Sequence, residues 1–157
     1  MANQITLPAG NTQNANPHQI AIDKISNAID IIENIEGYLG DIIEHCHETS
    51  DHHKARRYQS LANHSSRVVN RAYSQLSVLY DVDASGPLSP SENIALISVL
   101  NELAENLESL GYFGIDSAKN DNELENANHD WLLFDSDDCT ALADALSELS
   151  DTLKGGN

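Results

Sequence analysis

The chain has 157 residues, of which 40% are hydrophobic and only 5% aromatic, and its net charge is −17. A chain of this length is expected to form one domain whose core is stable without disulfides or metals. Its negative charge repels a phosphate backbone, so direct nucleic-acid binding is not expected. The sequence contains no apolar run long enough to span a bilayer and no basic-then-apolar leader, which predicts a cytoplasmic location.

Residues 1–17 contain no charged side chain and are rich in Asn and Gln. They show no sustained apolar period, so the sequence predicts a flexible N-terminal tail ahead of one helical domain at residues 18–154. Cys46 and Cys139 stand alone at apparent helical core positions, where a buried thiol acts as a small hydrophobe. No disulfide framework is predicted.

A heptad pattern over residues 18–82 predicts two long helices joined by a reversal near Thr49, Ser50 and Asp51. The apolar positions of the first arm are Ile25, Ala28, Ile29, Ile32, Ile35, Leu39, Ile42, Ile43 and Cys46. The smaller, more polar set in the second arm is Tyr58, Leu61, Ala62, Ser65, Val68, Val69, Ala72, Gln75, Leu76 and Leu79. Two such seams bury each other most simply as an antiparallel αα-hairpin.

Gly37 and Gly40 interrupt the first arm. Glycine in a helix interior lowers helix stability by about 1 kcal/mol relative to alanine, so a structural explanation is expected for each of these residues. Either the helix kinks or breaks there, or another helix approaches closely at the glycines. The sequence leaves both alternatives open.

Two shorter helices are predicted at about 90–111 and 136–154. Ser89, Pro90 and Glu92 have the spacing of an N-cap, a first-turn proline and a capping-box acid. Gly111 is the expected left-handed residue that ends the third helix. Between these helices residues 112–130 favour a loop or a short helix at 122–129, and residues 131–134 form an apolar run. Turn residues fill positions 83–88. The predicted fold class is therefore all-α, a helical bundle built on a long antiparallel αα-hairpin with two shorter C-terminal helices.

The predicted hairpin tip is rich in metal-ligand side chains. Its candidate ligands are His45, His47, His52 and His53. Imidazole is a preferred ligand of zinc, nickel and copper, and a tight reversal could bring one histidine of each arm together. The spacing matches no known metal motif, and the alternative is a solvated polar tip. No cofactor is predicted.

The second arm is basic although the protein is acidic. Residues 54–80 carry 5 basic and no acidic residues, whereas residues 81–157 carry 2 basic and 17 acidic residues. The basic stripe consists of Arg56, Arg57, His64, Arg67 and Arg71. Because carboxylates of the facing arm are expected nearby, salt bridging within the chain or between subunits is favoured over nucleic-acid binding. The facing carboxylates are Glu33, Glu36, Asp41 and Glu44.

The C-terminal half has the opposite character. Carboxylates three or four residues apart are neighbours on a helix face, and their spacing is comparable to that of phosphates along a nucleic-acid strand. The candidate partner-binding residues are Asp137, Asp144, Glu148, Asp151, Glu102 and Glu105. A solvated face that only keeps the protein soluble is the alternative.

No phosphate-binding loop, nucleophile elbow, zinc-protease motif or di-iron pattern is present in the sequence, so an enzyme is not expected. The sequence instead predicts an interaction module: a regulator or inhibitor that docks on a basic surface of another protein, in one form as a nucleic-acid mimic. The alternative is a metal- or ligand-sensing bundle that uses the histidine tip. Self-association is also expected, because the long arms extend beyond the shorter helices and leave part of the seam uncovered.

Overall fold

The protein is described here by a computed structural model of residues 17–80, 88–115 and 136–155. These residues form helices α1 (Pro17–Glu48), α2 (His52–Tyr80), α3 (Pro90–Ser109) and α4 (Ser136–Gly155). A π-helical segment, Leu110–Ile115, extends α3. The predicted all-α bundle with a long hairpin is confirmed. None of the described helices is both long and apolar enough to cross a membrane.

The first three helices alternate in direction. A tight turn joins α1 to α2, and the two helices pack along each other as an antiparallel hairpin. The Asn106 side chain donates a hydrogen bond to Ser65 Oγ at 3.0 Å, and Arg71 forms an ion pair with Glu102 at 3.0 Å. Higher residue numbers in α2 are therefore paired with lower residue numbers in α3, so these two helices are antiparallel.

The fourth helix reverses direction once more. A Cβ at Gly111 would lie 3.3 Å from Cys139 Cβ and 3.3 Å from the Ser136 carbonyl oxygen, so the end of α3 contacts the start of α4. The two helices pack extensively beyond this point and are antiparallel. Helices α1 and α3 touch each other, and each also packs on α2 and on α4. Helices α2 and α4 consequently lie on opposite sides of the α1–α3 pair and run parallel.

One hydrophobic core joins the four helices. Every predicted apolar position of α1 is buried, and those of α2 are buried or half-buried. From α3 the core takes leucines that recur every three or four residues, Leu96, Leu100, Leu103 and Leu107. From α4 it takes Cys139, Ala143, Leu146 and Leu153. The helical period read from the sequence thus places the core correctly.

The hairpin turn closes with two linked caps. The Asp51 N–H donates to the Cys46 carbonyl at 2.8 Å, and the Ser50 N–H donates to the His47 carbonyl at 3.1 Å. This is the Schellman pattern, and Ser50 occupies its left-handed position with φ 61°. The Asp51 side chain then accepts the Lys54 N–H at 3.1 Å as the N-cap of α2. The predicted reversal at these residues is confirmed.

The glycines do not behave as the sequence suggests. Helix α1 runs without a break through Gly37 and Gly40, and a Cβ at either would meet nothing within 4 Å. Neither a helix break nor a close helix contact therefore explains these two residues. The expected left-handed role of Gly111 is wrong, because no glycine in the described segments has positive φ and Leu110 stays right-handed. Gly111 instead lets α3 approach α4.

The start of α3 follows the predicted pattern. Ser89 Oγ accepts the Glu92 N–H at 3.2 Å, and Glu92 Oε2 accepts the Ser89 N–H at 2.9 Å, which completes a capping box. Several other expectations fall on residues outside the described segments: nearly all of the N-terminal tail, the turn at 83–88 apart from its last residue, most of residues 112–130, and the apolar run at 131–134.

The seam that was expected to remain uncovered is buried. From Ala21 to Cys46 the inward positions of α1 are at most 8% exposed, and Ala55 and Tyr58 near the tip are at most 3% exposed. The reason given above for self-association, an exposed apolar seam, therefore does not hold for the described helices. Self-association stays a prediction, and it needs a different surface.

Candidate functional site

The hairpin tip brings one pair of histidines together. The His47 and His52 rings, one from each arm, have centroids 5.7 Å apart and are tilted by 43°. His47, His52 and His53 are exposed, whereas His45 is half-buried. A structural or catalytic metal site needs three or four protein ligands. Within the described segments no group of three His, Cys, Asp or Glu side chains could hold a metal ion, so the tip offers at most a pair.

The basic stripe lies on the outer side of α2. All five of its members are exposed, and they lie across the helix from the buried residues Tyr58, Ser65 and Leu76. The stripe therefore faces away from the bundle axis. Helix α1 packs along a flank of α2 and does not cover the outer side, which carries the stripe.

The ion pairs that were expected between the stripe and α1 do not form. Arg71 pairs with Glu102 of α3, and Glu33 of α1 accepts a hydrogen bond of 2.8 Å from the Tyr73 hydroxyl. Among the described residues, Arg56, Arg57 and Arg67 make no ion pair within 4 Å. The expected pairing of the stripe with α1 is therefore wrong, while salt bridging between subunits stays a prediction. The reason is helical phase, because these arginines project outward from α2 and α1 lies at its flank.

The hydrogen bond between Tyr73 and Glu33 fastens the two arms on one side. Because the Tyr73 hydroxyl donates this hydrogen bond to a carboxylate, the neutral phenol is stabilised and the pKa of Tyr73 is raised. At Tyr58, burial raises the pKa of the hydroxyl, and the neighbouring Arg57 guanidinium opposes that effect. Tyr58 is only 3% exposed, so it serves as packing beneath the stripe.

Glu36 is the one carboxylate of the predicted facing set that burial perturbs. Desolvation raises the pKa of Glu36, and the like charge of Glu33 raises it further. Its Oε1 is buried and has no hydrogen-bond partner. The ionised side chain is therefore less favourable in the folded chain than in water.

Replacement of Glu36 by Gln should stabilise the protein near pH 7. Because the folded-state pKa is raised, the ionised carboxylate destabilises the fold above that pKa, and the effect vanishes below the ordinary glutamate pKa of 4.5. The gain of Glu36→Gln over the wild type should therefore grow as pH rises from about 4 to 7. Urea unfolding across this range measures it, with Glu44→Gln at an exposed position of α1 as control. A constant difference at all pH values would contradict the argument.

A groove lies beside the basic stripe, where α2 meets the end of α3. It has a volume of ≈ 400 Å³ and is lined by Arg57, Tyr58, Ser60, Leu61, His64 and Ser109. Tyr58 and Leu61 give it an apolar floor, while Arg57 and His64 supply donors at the rim. No sequence pattern indicates this groove, because Ser109 lines it from a helix that is distant along the chain.

The acidic face of α4, defined here as Asp137, Asp144, Glu148 and Asp151, is exposed along its whole length. It lies opposite the buried side of the helix, which carries Cys139, Leu146 and Leu153. One member, Asp151, has Lys154 of the same helix at 3.7 Å, and both side chains are largely exposed. The predicted grouping of these four residues on one outward surface agrees with the structure.

Glu102 and Glu105 do not extend this face. Glu102 is half-buried and paired with Arg71, so its charge is used between α2 and α3. Glu105 is exposed on α3. The register of α3 against α2 places Glu102 opposite an arginine, so it is not part of the acidic face of α4. Contact of Glu102 or Glu105 with a partner stays a prediction.

The chain matches no known family model, no curated protein and no solved structure. What the geometry defines is a class of architecture, an up-down-up-down four-helix bundle. Its outer surface is strongly divided by charge, with a basic stripe on α2 and an acidic face on α4.

Proposed function

We propose that the protein is a cytoplasmic, non-enzymatic interaction module that regulates or inhibits a partner by docking the acidic face of α4 on a basic surface. The observation that carries the proposal is the placement of four exposed carboxylates on the side of α4 opposite the core. The bundle acts as a rigid support for this face. One class of partner with a suitable basic surface is a protein that normally binds nucleic acid.

The face has the properties that an electrostatic docking surface requires. Its carboxylates project from one helix, so their mutual distances are fixed before binding. Among the described residues only Lys154 pairs with a member of the face, and that pair is solvent-exposed. Exposed ion pairs of this kind contribute about 0–1 kcal/mol, so the pair competes little with a partner.

Accumulated like charge also argues for a partner. Carboxylates at neighbouring positions of a helix repel each other by a few tenths of a kcal/mol per pair. A basic groove would relieve this repulsion on binding and would speed association. If the charge served only to keep the protein soluble, its concentration on one face of α4 would not affect binding of a partner.

The test is neutralisation of the face without loss of shape. The variant Asp144→Asn/Glu148→Gln/Asp151→Asn should reduce partner capture about tenfold and should flatten its salt dependence, because three charge contacts are lost. Capture is measured by affinity pull-down from the source cell at low and at high salt. The folded state of each variant is checked by circular dichroism.

A matched control changes the same charges elsewhere. The variant Asp23→Asn/Asp30→Asn/Glu44→Gln removes two Asp and one Glu from exposed positions of α1. It alters the net charge equally, so its capture should stay close to that of the wild type. Equal capture by wild type and the α4 variant at both salt concentrations would refute the proposed function.

A further inference from the structure

We propose that the basic stripe of α2 in one copy binds the acidic face of α4 in a second copy, so that copies associate head to tail. The proposal rests on the proposed function in one respect, because the α4 face is used in both. It adds a second binding surface, α2, and names the partner as another copy of this chain.

The two surfaces have nearly the same spacing. Four members of the stripe, Arg57, His64, Arg67 and Arg71, are separated by 7, 3 and 4 residues. The four members of the acidic face, Asp137, Asp144, Glu148 and Asp151, are separated by 7, 4 and 3 residues. In each set the first and last members are 14 positions apart, which is about 21 Å of helix. Aligned in parallel, the sets coincide at three positions and differ by one residue at the fourth.

The bundle supplies the orientation that this match needs. Within one copy α2 and α4 run parallel on opposite sides of the α1–α3 pair. A second copy shifted sideways without rotation therefore places its α4 alongside α2 of the first, with both helices parallel. In this arrangement Arg57 meets Asp137 and Arg71 meets Asp151.

The two sets also lie at the same height in the bundle. Ser109, at the end of α3, lines the groove with Arg57 and His64. Two residues further on, Gly111 approaches Ser136 at the start of α4. The beginnings of the stripe and of the acidic face are thus at the same end of the molecule, and a sideways shift brings them level.

The stripe is open for such a contact. Arg57, His64 and Arg67 are exposed and form no ion pair with another described residue, and only Arg71 is engaged, with Glu102. Because the two surfaces face in opposite directions, the contact is heterologous and does not close a dimer. Association of this type continues into open chains.

The net charge of −17 determines how association depends on salt. At about 0.01 M salt the Debye length is about 30 Å, so the whole molecules repel each other. At about 0.1 M it is about 10 Å, and an approaching carboxylate senses mainly the stripe within residues 54–80, which contain 5 basic and no acidic residues. At about 1 M the pairs themselves are screened. Association should therefore be strongest at intermediate salt.

Two variants that each retain one surface test the proposal. Arg57→Gln/His64→Gln/Arg67→Gln neutralises three of the five stripe residues and leaves the Arg71 ion pair, while Asp144→Asn/Glu148→Gln/Asp151→Asn neutralises three of the four residues of the acidic face. Sedimentation velocity is run on the full chain at concentrations up to about 1 mM, since a few exposed ion pairs give weak binding. Wild type should show a mass that keeps rising with concentration, and each variant alone should stay monomeric.

The decisive sample is the equimolar mixture of the two variants. One variant retains only its acidic face and the other only its basic stripe, so the mixture should form a one-to-one dimer and nothing larger. A monomeric wild type at about 1 mM and 0.1 M salt, or variants that associate as the wild type does, would overturn the proposal. The control Asp23→Asn/Asp30→Asn/Glu44→Gln should associate like the wild type.

The two proposals fail in different ways. If only the head-to-tail contact is wrong, the wild type is monomeric, yet neutralisation of the α4 face still reduces capture of a foreign partner. If only the proposed function is wrong, foreign capture is unchanged while the variant mixture still forms its dimer. The stripe variant leaves α4 intact and should capture a foreign partner as well as the wild type does.

Discussion

Truncation of Ile32 to Ala is expected to lower the free energy of unfolding by about 2–5 kcal/mol. Ile32 is 0% exposed and belongs to the core cluster that joins all four helices. The substitution removes three buried carbon atoms, and a close-packed core refills the resulting cavity only in part. For a small domain this is a large fraction of the total stability. Urea unfolding followed by circular dichroism gives the difference.

The same substitution at Ile94 is the matched control. Ile94 lies on α3 and is 67% exposed, so truncation removes little buried surface. Its effect should stay within about 0.5 kcal/mol, the range usual for surface positions. Similar losses at Ile32 and Ile94 would show that the helices do not pack as described. Both variants retain the charged surfaces, so the experiment tests the support of the candidate sites separately from binding.

Most of this fold could be predicted from the sequence because apolar residues keep the same helical spacing over long stretches of the chain. The isoleucines of α1 from Ile25 to Ile43 recur at helical spacing over about five turns, and each is buried in the core or packed against it. The capping box at Ser89 and the turn at Ser50 also rely on neighbours within a few residues. Interactions of this kind depend on residues at fixed, short separations along the chain, so the sequence alone can predict them.

The candidate surfaces were only half predictable for the same reason. The outward position of the four acidic residues of α4 depends on spacing within one helix, so the sequence pattern predicts it, while their role in docking stays a prediction. The state of the basic stripe depends on which helix lies opposite each arginine. Arg71 finds Glu102, which is 31 positions away, while Arg57 and Arg67 face outward. Net charge and composition contain no information about such register, so pairing with α1 was a reasonable but wrong expectation.

Register between α2 and α3 therefore decides what the outer surface of α2 presents. Ser65 and Asn106 lie in this interface, and both residues of the pair are 0% exposed. Asn106 Nδ2 donates to Ser65 Oγ, but Asn106 Oδ1 has no hydrogen-bond partner. A half-satisfied polar pair in a core lowers stability, yet it permits only the alignment in which its two members meet. The pair is therefore a candidate for the element that fixes the register.

Replacement of Ser65 by Ala is expected to destabilise the protein by about 1–3 kcal/mol, because it leaves the buried amide of Asn106 without its acceptor. The double variant Ser65→Ala/Asn106→Leu removes both polar groups at similar volume. It should be at least as stable as the wild type, since no buried donor or acceptor then remains unpaired at this site. The expected coupling between the two changes is about 0.5–3 kcal/mol, measured as a double-mutant cycle by urea unfolding.

Ser66→Ala, at the neighbouring exposed position of α2, controls for the higher helix propensity of alanine. If Ser65→Ala and Ser66→Ala have the same effect, the buried hydrogen bond contributes nothing. If the double variant is stable but loses the Arg71–Glu102 ion pair, the polar pair holds the register at the expense of stability. An NMR titration that follows the Arg71 side chain distinguishes a retained register from a shifted one, and a shifted register would also disrupt the groove between Arg57 and Ser109.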